Sequence, residues 1–126
     1  AADTRAVASL PLCELLLMDD ARWPWLILVP RRAGLIEIAD LHGDEQAVLW
    51  QEVNRAAAAL RAVAPCDKLN LGALGNIVRQ LHVHVVARLE GDPAWPGPVW
   101  GHGARVARDD ERATTLIAAL RRSLAG

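Results

Sequence analysis

The chain has 126 residues, 52% apolar and 23% charged, with a formal net charge of -1, the profile of a single globular domain over residues 1–126. No basic tail or stripe points to nucleic acid, no apolar run is long enough to span a bilayer, and no signal-peptide pattern opens the chain. Two isolated cysteines, Cys13 and Cys66, read as free thiols rather than a bridge, so a reducing, cytoplasmic setting is the default.

Residues 3–9 read as a short lead-in, a helical turn at most. Leu12 to Met18 is a buried strand stopped by Asp19-Asp20, and Asp20 to Pro24 is a turn. Trp25 to Val29 is a second apolar strand, closed by Pro30-Arg31-Arg32, and its spacing from the first predicts an antiparallel hairpin. Ile36 to Ile38 is a candidate short third strand. A helix opens at Gly43-Asp44, with Asp44 as N-cap and Glu45 near the positive end of the dipole. Leu49, Val53, Ala56, Leu60 and Val63 recur at steps of four and three and paint one helical face, and Pro65 ends it. Lys68 to Leu71 is a strand, Gly72 to Asn76 a glycine-bearing turn, and Ile77 to Leu89 contains another strand. After the Pro/Gly/Trp loop from Gly91 to Gly103, Asp109-Asp110-Glu111 opens a last helix that turns Leu116, Ile117, Leu120 and Leu124 inward. This order predicts an α+β fold with a mostly antiparallel sheet of about five strands, one long central helix and a C-terminal helix.

Gln80-Leu81-His82-Val83-His84-Val85-Val86 carries the chemistry. Side chains on a strand alternate, so Gln80, His82 and His84 share one face and Leu81, Val83 and Val85 point to the core. Two polar residues on a solvated face would be the bland explanation. Two imidazoles at i and i+2, about 6.6 Å apart along a strand, suit catalysis near neutral pH. One imidazole could attack phosphorus while the other donates to a phosphate oxygen. Alternatively, His-x-His chelates a metal, which needs a third ligand. His42, His102 or a carboxylate would have to supply it, and none has a telling spacing.

Upstream, Asn70-x-Gly72 and Gly75-Asn76 form a turn whose backbone N–H groups could bind an anion; by itself a plain hairpin is the favoured explanation, and its position next to the paired histidines raises the alternative. In the loop from Pro93 to His102, Trp95 and Trp100 could stack on a base, but packing onto the sheet or a partner is favoured. Arg31, Arg32 and Arg88 could draw anions, yet arginines bounding strands are usually solvated.

Taken in order, Pro24 to Arg32, then Asn70-x-Gly72, Gly75, and Gln80-x-His82-x-His84-Val85-Val86 resemble the histidine triad (HIT) family over roughly residues 12–90. A Gln-Leu-His-Val-His core followed by Pro93-Ala-Trp-Pro-Gly-Pro-Val-Trp-Gly101 is similar to one bacterial branch. The resemblance implies a HIT-like fold, a homodimer with a continuous sheet, and a nucleotide or nucleoside-phosphate substrate such as a dinucleoside polyphosphate. No cofactor is expected, and no metal ligands are assigned. Carried over by position, His82 is the nucleophile, His84 hydrogen-bonds the phosphate, and Asn70, Gly75 and Asn76 line the phosphate site. Asp19 or Asp20 would hold the ribose, and Trp25, standing where the family has a histidine, would line the site.

Four family positions differ. The first triad histidine is Gln80, the upstream strand's histidine is Trp25, the one after Pro-Lys-Lys is Ala33, and the serine or threonine of the turn is Ile77. Gln80 can orient a group by hydrogen bonding but cannot shuttle a proton. General acid catalysis contributes about 10²–10⁴-fold, so two readings lead, a nucleotidyl hydrolase or transferase and a nucleotide-binding module with little turnover, with a metal-binding protein using His-x-His as the weaker alternative.

Overall fold

The computed structural model describes residues 3–126. Five strands form one antiparallel sheet: β1 (Thr4–Ser9), β2 (Cys13–Met18), β3 (Trp25–Pro30), β4 (Lys68–Gly72) and β5 (Val83–Arg88), in the spatial order β1-β2-β3-β5-β4. Helix α1 (Gly43–Val63) connects β3 to β4, and α2 (Asp110–Ala125) closes the chain.

Alternation explains how each strand sits. In β2, Cys13, Leu15 and Leu17 are buried towards the helices, while Glu14, Leu16 and Met18 face the other way, half exposed. β3 and β5 are almost wholly buried. Leu26, Leu28, Val83, Val85 and Ala87 join the helix-side core, and Trp25, Ile27 and Val86 join a second cluster on the opposite face.

The stripe predicted on α1 is the one that packs: Leu49, Val53, Ala56 and Leu60 are buried on the sheet. Glu52 is buried beside them, and its carboxylate accepts from the backbone N–H groups of Leu12 and Cys13, both at 2.8 Å. These bonds pin the β1–β2 turn to the helix and satisfy a carboxylate that burial would otherwise penalise. Burial first, and then the charge of Glu52, pushes the Cys13 thiol up to about 12. The last helix is capped by Asp109, whose side chain accepts from the Arg112 N–H at 3.2 Å.

Three local expectations are corrected. Residues 4–9 are a strand, not a helical turn: only Val7 is strongly apolar there, and pairing with β2 decides the conformation. Ile36 to Ile38 is no strand; Ile38–Asp40 is one 3-10 turn, with the Asp40 carboxylate accepting from the Glu37 N–H at 3.0 Å. Asp44 is not the N-cap but lies in the first turn of α1; His42 occupies the cap, its carbonyl accepting from the Gln46 N–H at 2.9 Å.

The sheet face away from the helices is only half covered. The loop over residues 91–103 folds across β4 and β5, bringing Val99 into the second cluster and the Trp100 ring over Gly72, where a Cβ would meet it at 3.0 Å. Over β2 and β3 the face is left as a concavity.

Candidate active site

That concavity encloses about 470 Å³, floored by Leu16, Met18, Ile27 and Val29 and walled at one end by Gln80, His82 and His84. β5 begins at Val83, so Gln80 and His82 belong to its lead-in, which is anchored by the Leu81 N–H on the Leu35 carbonyl at 2.8 Å. The two imidazole rings nevertheless share a face, with centroids 5.0 Å apart.

The hydrogen bonds assign the ring protons. Nδ1 of His82 is 2.7 Å from the Gln80 carbonyl oxygen. A carbonyl only accepts, so Nδ1 of His82 carries hydrogen and Nε2 keeps its lone pair. His84 is the reverse. The Trp25 indole nitrogen lies 2.9 Å from its Nδ1, and an indole N–H only donates. Nδ1 of His84 therefore accepts, and its hydrogen is on Nε2. His84 is 7% exposed; burial, followed by the charge of neighbouring His82, pushes its pKa down to about 4. It is a neutral hydrogen-bond donor at physiological pH.

Gln80 donates from Nε2 to the Arg32 carbonyl at 3.2 Å and reaches the Pro30 carbonyl at 3.5 Å. It thus ties the lead-in to the end of β3. Gly75 and Asn76 border a second opening onto His82. Gly75 sits at φ +68°, and a Cβ there would lie 3.3 Å from the Val78 carbonyl, so the turn requires glycine. Ile77 beside it is 96% exposed.

Four expected site residues lie elsewhere. Trp25 does not line the cavity: it is 5% exposed, packed behind His84 and against Trp23 and Trp100. Asp19 is taken up by Arg105 Nη1 at 3.0 Å and by the Arg108 N–H at 2.8 Å. That N–H bond is the main reason its carboxyl is held low. Asp20 is buried against Arg22, which donates from Nε and Nη2 at 2.9 and 2.8 Å. Burial opposes its ionisation, but the Arg22 bonds outweigh it and its pKa falls below the usual range. Asn70 accepts from Arg88 Nη1 at 2.8 Å, and neither it nor the two aspartates line the cavity.

Arg88, read as a solvated strand end, is buried and paired with Asp92. Arg31 and Arg32 are paired with Glu14 and Glu45. The favoured reading of the 93–102 loop holds: it packs onto its own sheet. Sequence reasoning missed the cavity floor, although both strands are apolar on both faces, which one layer of helices cannot cover. It also missed Arg88, although continuing the alternation from His84 by four residues puts it on the site face.

The chain matches the HIT domain family over residues 1–91. It belongs to the histidine triad family. A histidine triad protein from Sinorhizobium meliloti superposes with a TM-score of 0.95 at 50% identity, covering 97% of this chain and 90% of that one. One from Bradyrhizobium japonicum gives 0.95 at 49%, covering 98% and 92%. A hypothetical histidine triad nucleotide-binding protein from Sulfolobus tokodaii shares the fold at 18% identity, with a TM-score of 0.74 and coverage of 97% and 84%. Comparison with curated proteins returns no match. Among the described residues of this HIT protein, no three His, Cys, Asp or Glu side chains converge to hold a metal ion, and no helix is long and apolar enough to cross a membrane.

Proposed function

We propose that this HIT protein is a nucleotidyl hydrolase or transferase acting through His82. The observation that carries the reading is the Nδ1 bond of His82 to the Gln80 carbonyl, which leaves Nε2 as a lone pair at the mouth of an apolar cavity. The floor of Leu16, Met18, Ile27 and Val29 suits a base or another flat apolar group. His84 Nε2–H is available to donate to a phosphate oxygen, and the turn at Gly75 and Asn76 offers backbone N–H groups for the same charge.

In the first step Nε2 attacks the α-phosphorus of a nucleoside phosphate ester, anhydride or phosphoramidate. The bond to the leaving group breaks, and a nucleotidyl-histidine forms. Water then releases the monophosphate. A second copy would cover β4, an outer strand of the sheet whose Leu71 is 46% exposed, which supports a homodimer. The cytoplasmic setting stays part of this reading.

Rapid quench with dinucleoside polyphosphates and nucleoside phosphoramidates tests the proposal. Wild type is expected to yield protein labelled at His82 from at least one of these substrates, and His82→Ala to yield none. The second reading, a binder with little turnover, rests on Gln80, which cannot donate a titratable proton. Nucleotide binding with no label trapped from any substrate would favour it.

A further inference from the structure

The Trp25–His84 contact has a chemical consequence for the leaving group. When a phosphorus–oxygen or phosphorus–nitrogen bond breaks, a basic leaving atom needs a proton and an acidic one does not. The cavity holds few sources. Gln80 is an amide. The Nδ1 hydrogen of His82 is held by the Gln80 carbonyl. At the cavity rim, the Glu14 carboxylate is bonded to Ser9 and Arg31, and Asp3 is paired with Arg105. That leaves His84.

Packed against His84 are Trp25 and Ile27 from β3, Gly72 from β4, Trp100 from the 91–103 loop, and His82. Among these described neighbours only His82 titrates, and no carboxylate faces the ring. Because the indole N–H occupies Nδ1, His84 cannot take up a second proton without losing that bond. Giving up its Nε2 proton would leave an imidazolate that an indole cannot reprotonate.

We infer that Trp25 is a positioning residue that holds His84 as a neutral Nε2–H donor, and that this restricts the site to leaving groups that depart as stable anions. The inference rests on the proposed nucleotidyl transfer at His82. In the step it describes, the Nε2 lone pair of His82 forms the nitrogen–phosphorus bond. The bond to the leaving oxygen breaks, and the pair leaves on that oxygen unprotonated. His84 Nε2–H stays a hydrogen bond to a phosphate oxygen throughout. Water then attacks phosphorus, the nitrogen–phosphorus pair returns to Nε2, and the spare proton goes to solvent. Mixed anhydrides with phosphate or carboxylate fit this site; amines and alkyl alcohols do not.

Two measurements test it. Imidazole ¹⁵N spectra of the wild-type protein, assigned with His84→Gln, are expected to show one ring with hydrogen on Nε2 and a bare Nδ1 that persists well below neutral pH. Hydrogen on Nδ1 would overturn the positioning role. The second is kcat/KM for aryl esters of a nucleoside 5′-monophosphate with phenols of graded acidity. Wild type is expected to lose on the order of tenfold per unit of phenol pKa, the slope of a nearly free anion. Trp25→His places a titratable imidazole where it can reprotonate Nδ1, and is expected to flatten that slope at the least acidic phenols. Trp25→Phe keeps an aromatic ring but removes the indole N–H from Nδ1, and is expected to lose the single tautomer. A shallow wild-type slope overturns the restriction while leaving nucleotidyl transfer standing. No turnover of any ester, with the spectra as expected, defeats the transfer reading and the restriction with it, while the tautomer assignment stands on the spectra.

Discussion

Arg88 and Asp92 close a salt bridge of 2.7 Å with side chains only 1% and 7% exposed. The bridge fastens the 91–103 loop to β5. Arg88 also donates to Asn70 and lies 5.5 Å from the Trp95 ring centre. Asp92 accepts from the Ala94 and Trp95 N–H groups and is held well below the usual carboxylate range, chiefly by the Arg88 bond. The ion pair thus joins the packing of Val99 and Trp100 and the Arg22 bond to the His102 carbonyl in holding the loop that covers half of the site face.

Breaking that pair from one side strands a buried charge. Asp92→Ala is expected to cost about 3–5 kcal/mol, seen as a lower denaturant midpoint. Arg88→Met with Asp92→Leu should recover much of it, because the charge and its partner leave together. Equal losses in the single and double variants would contradict the assignment.

His84 writes a pH signature into stability. It protonates near 4 in the folded protein but near its ordinary value of about 6.5 in the unfolded chain. Between those values the unfolded chain holds the extra proton, so the contribution is complete above about 6.5 and is lost as pH falls through about 4. The shift corresponds to about 3 kcal/mol. Urea unfolding from pH 7.5 to 4 should show the decline, and His84→Gln should flatten it. Asp92 titrates lower, so its loss follows in more acidic solution.

The two thiols should react differently. Cys13 is fully buried with its pKa pushed up to about 12, whereas Cys66 is half-buried. Thiolate is the reactive species, so an alkylating reagent at neutral pH should label Cys66 and spare Cys13, as peptide mass mapping would show. Glu52→Gln removes an acceptor from the turn holding Cys13. It is expected to cost about 1–3 kcal/mol and to speed labelling there.

Gly72→Ala tests the cover over the site. Its Cβ would stand 3.0 Å from the Trp100 ring, which lies 5.6 Å from His84. Displacing Trp100 exposes His84 to water, and its pKa should rise from about 4 towards the ordinary value. Histidine titration followed by NMR reads the shift directly; an unchanged titration would mean that Trp100 does not shield the ring.

Much of this was legible in the sequence, for identifiable reasons. Leu15, Leu17, Leu26 and Leu28 announce strands by local pattern alone. Gln80, His82 and His84 announce a site by a period of two. Thr4–Ser9 was not legible because its one strong apolar residue, Val7, sets no period and its strand character comes from β2. The fate of Asp19 was not legible either. Its partners Arg105 and Arg108 lie more than eighty residues away, in a loop whose path no local pattern predicts. The burial of Trp25 was not legible for a related reason. A family position indicates which strand a side chain is on, but not whether a bulkier replacement still faces the substrate.

The aromatic residues also make the protein its own optical probe. With five tryptophans and neither tyrosine nor phenylalanine, all near-ultraviolet emission is indole emission. Trp25 and Trp100 pack against His84, Trp23 packs edge-on against Trp25, and Trp95, in the same loop as Trp100, sits beside Arg88. Trp50, on α1, is 46% exposed. Four of five emitters therefore sit in the loop-and-sheet cluster around the site, and Trp50→Phe would remove the background. Imidazolium quenches indole, so the remaining signal would report the charge of the histidines beside these rings, His84 against Trp25 and Trp100 and His102 against Trp23, without any added label.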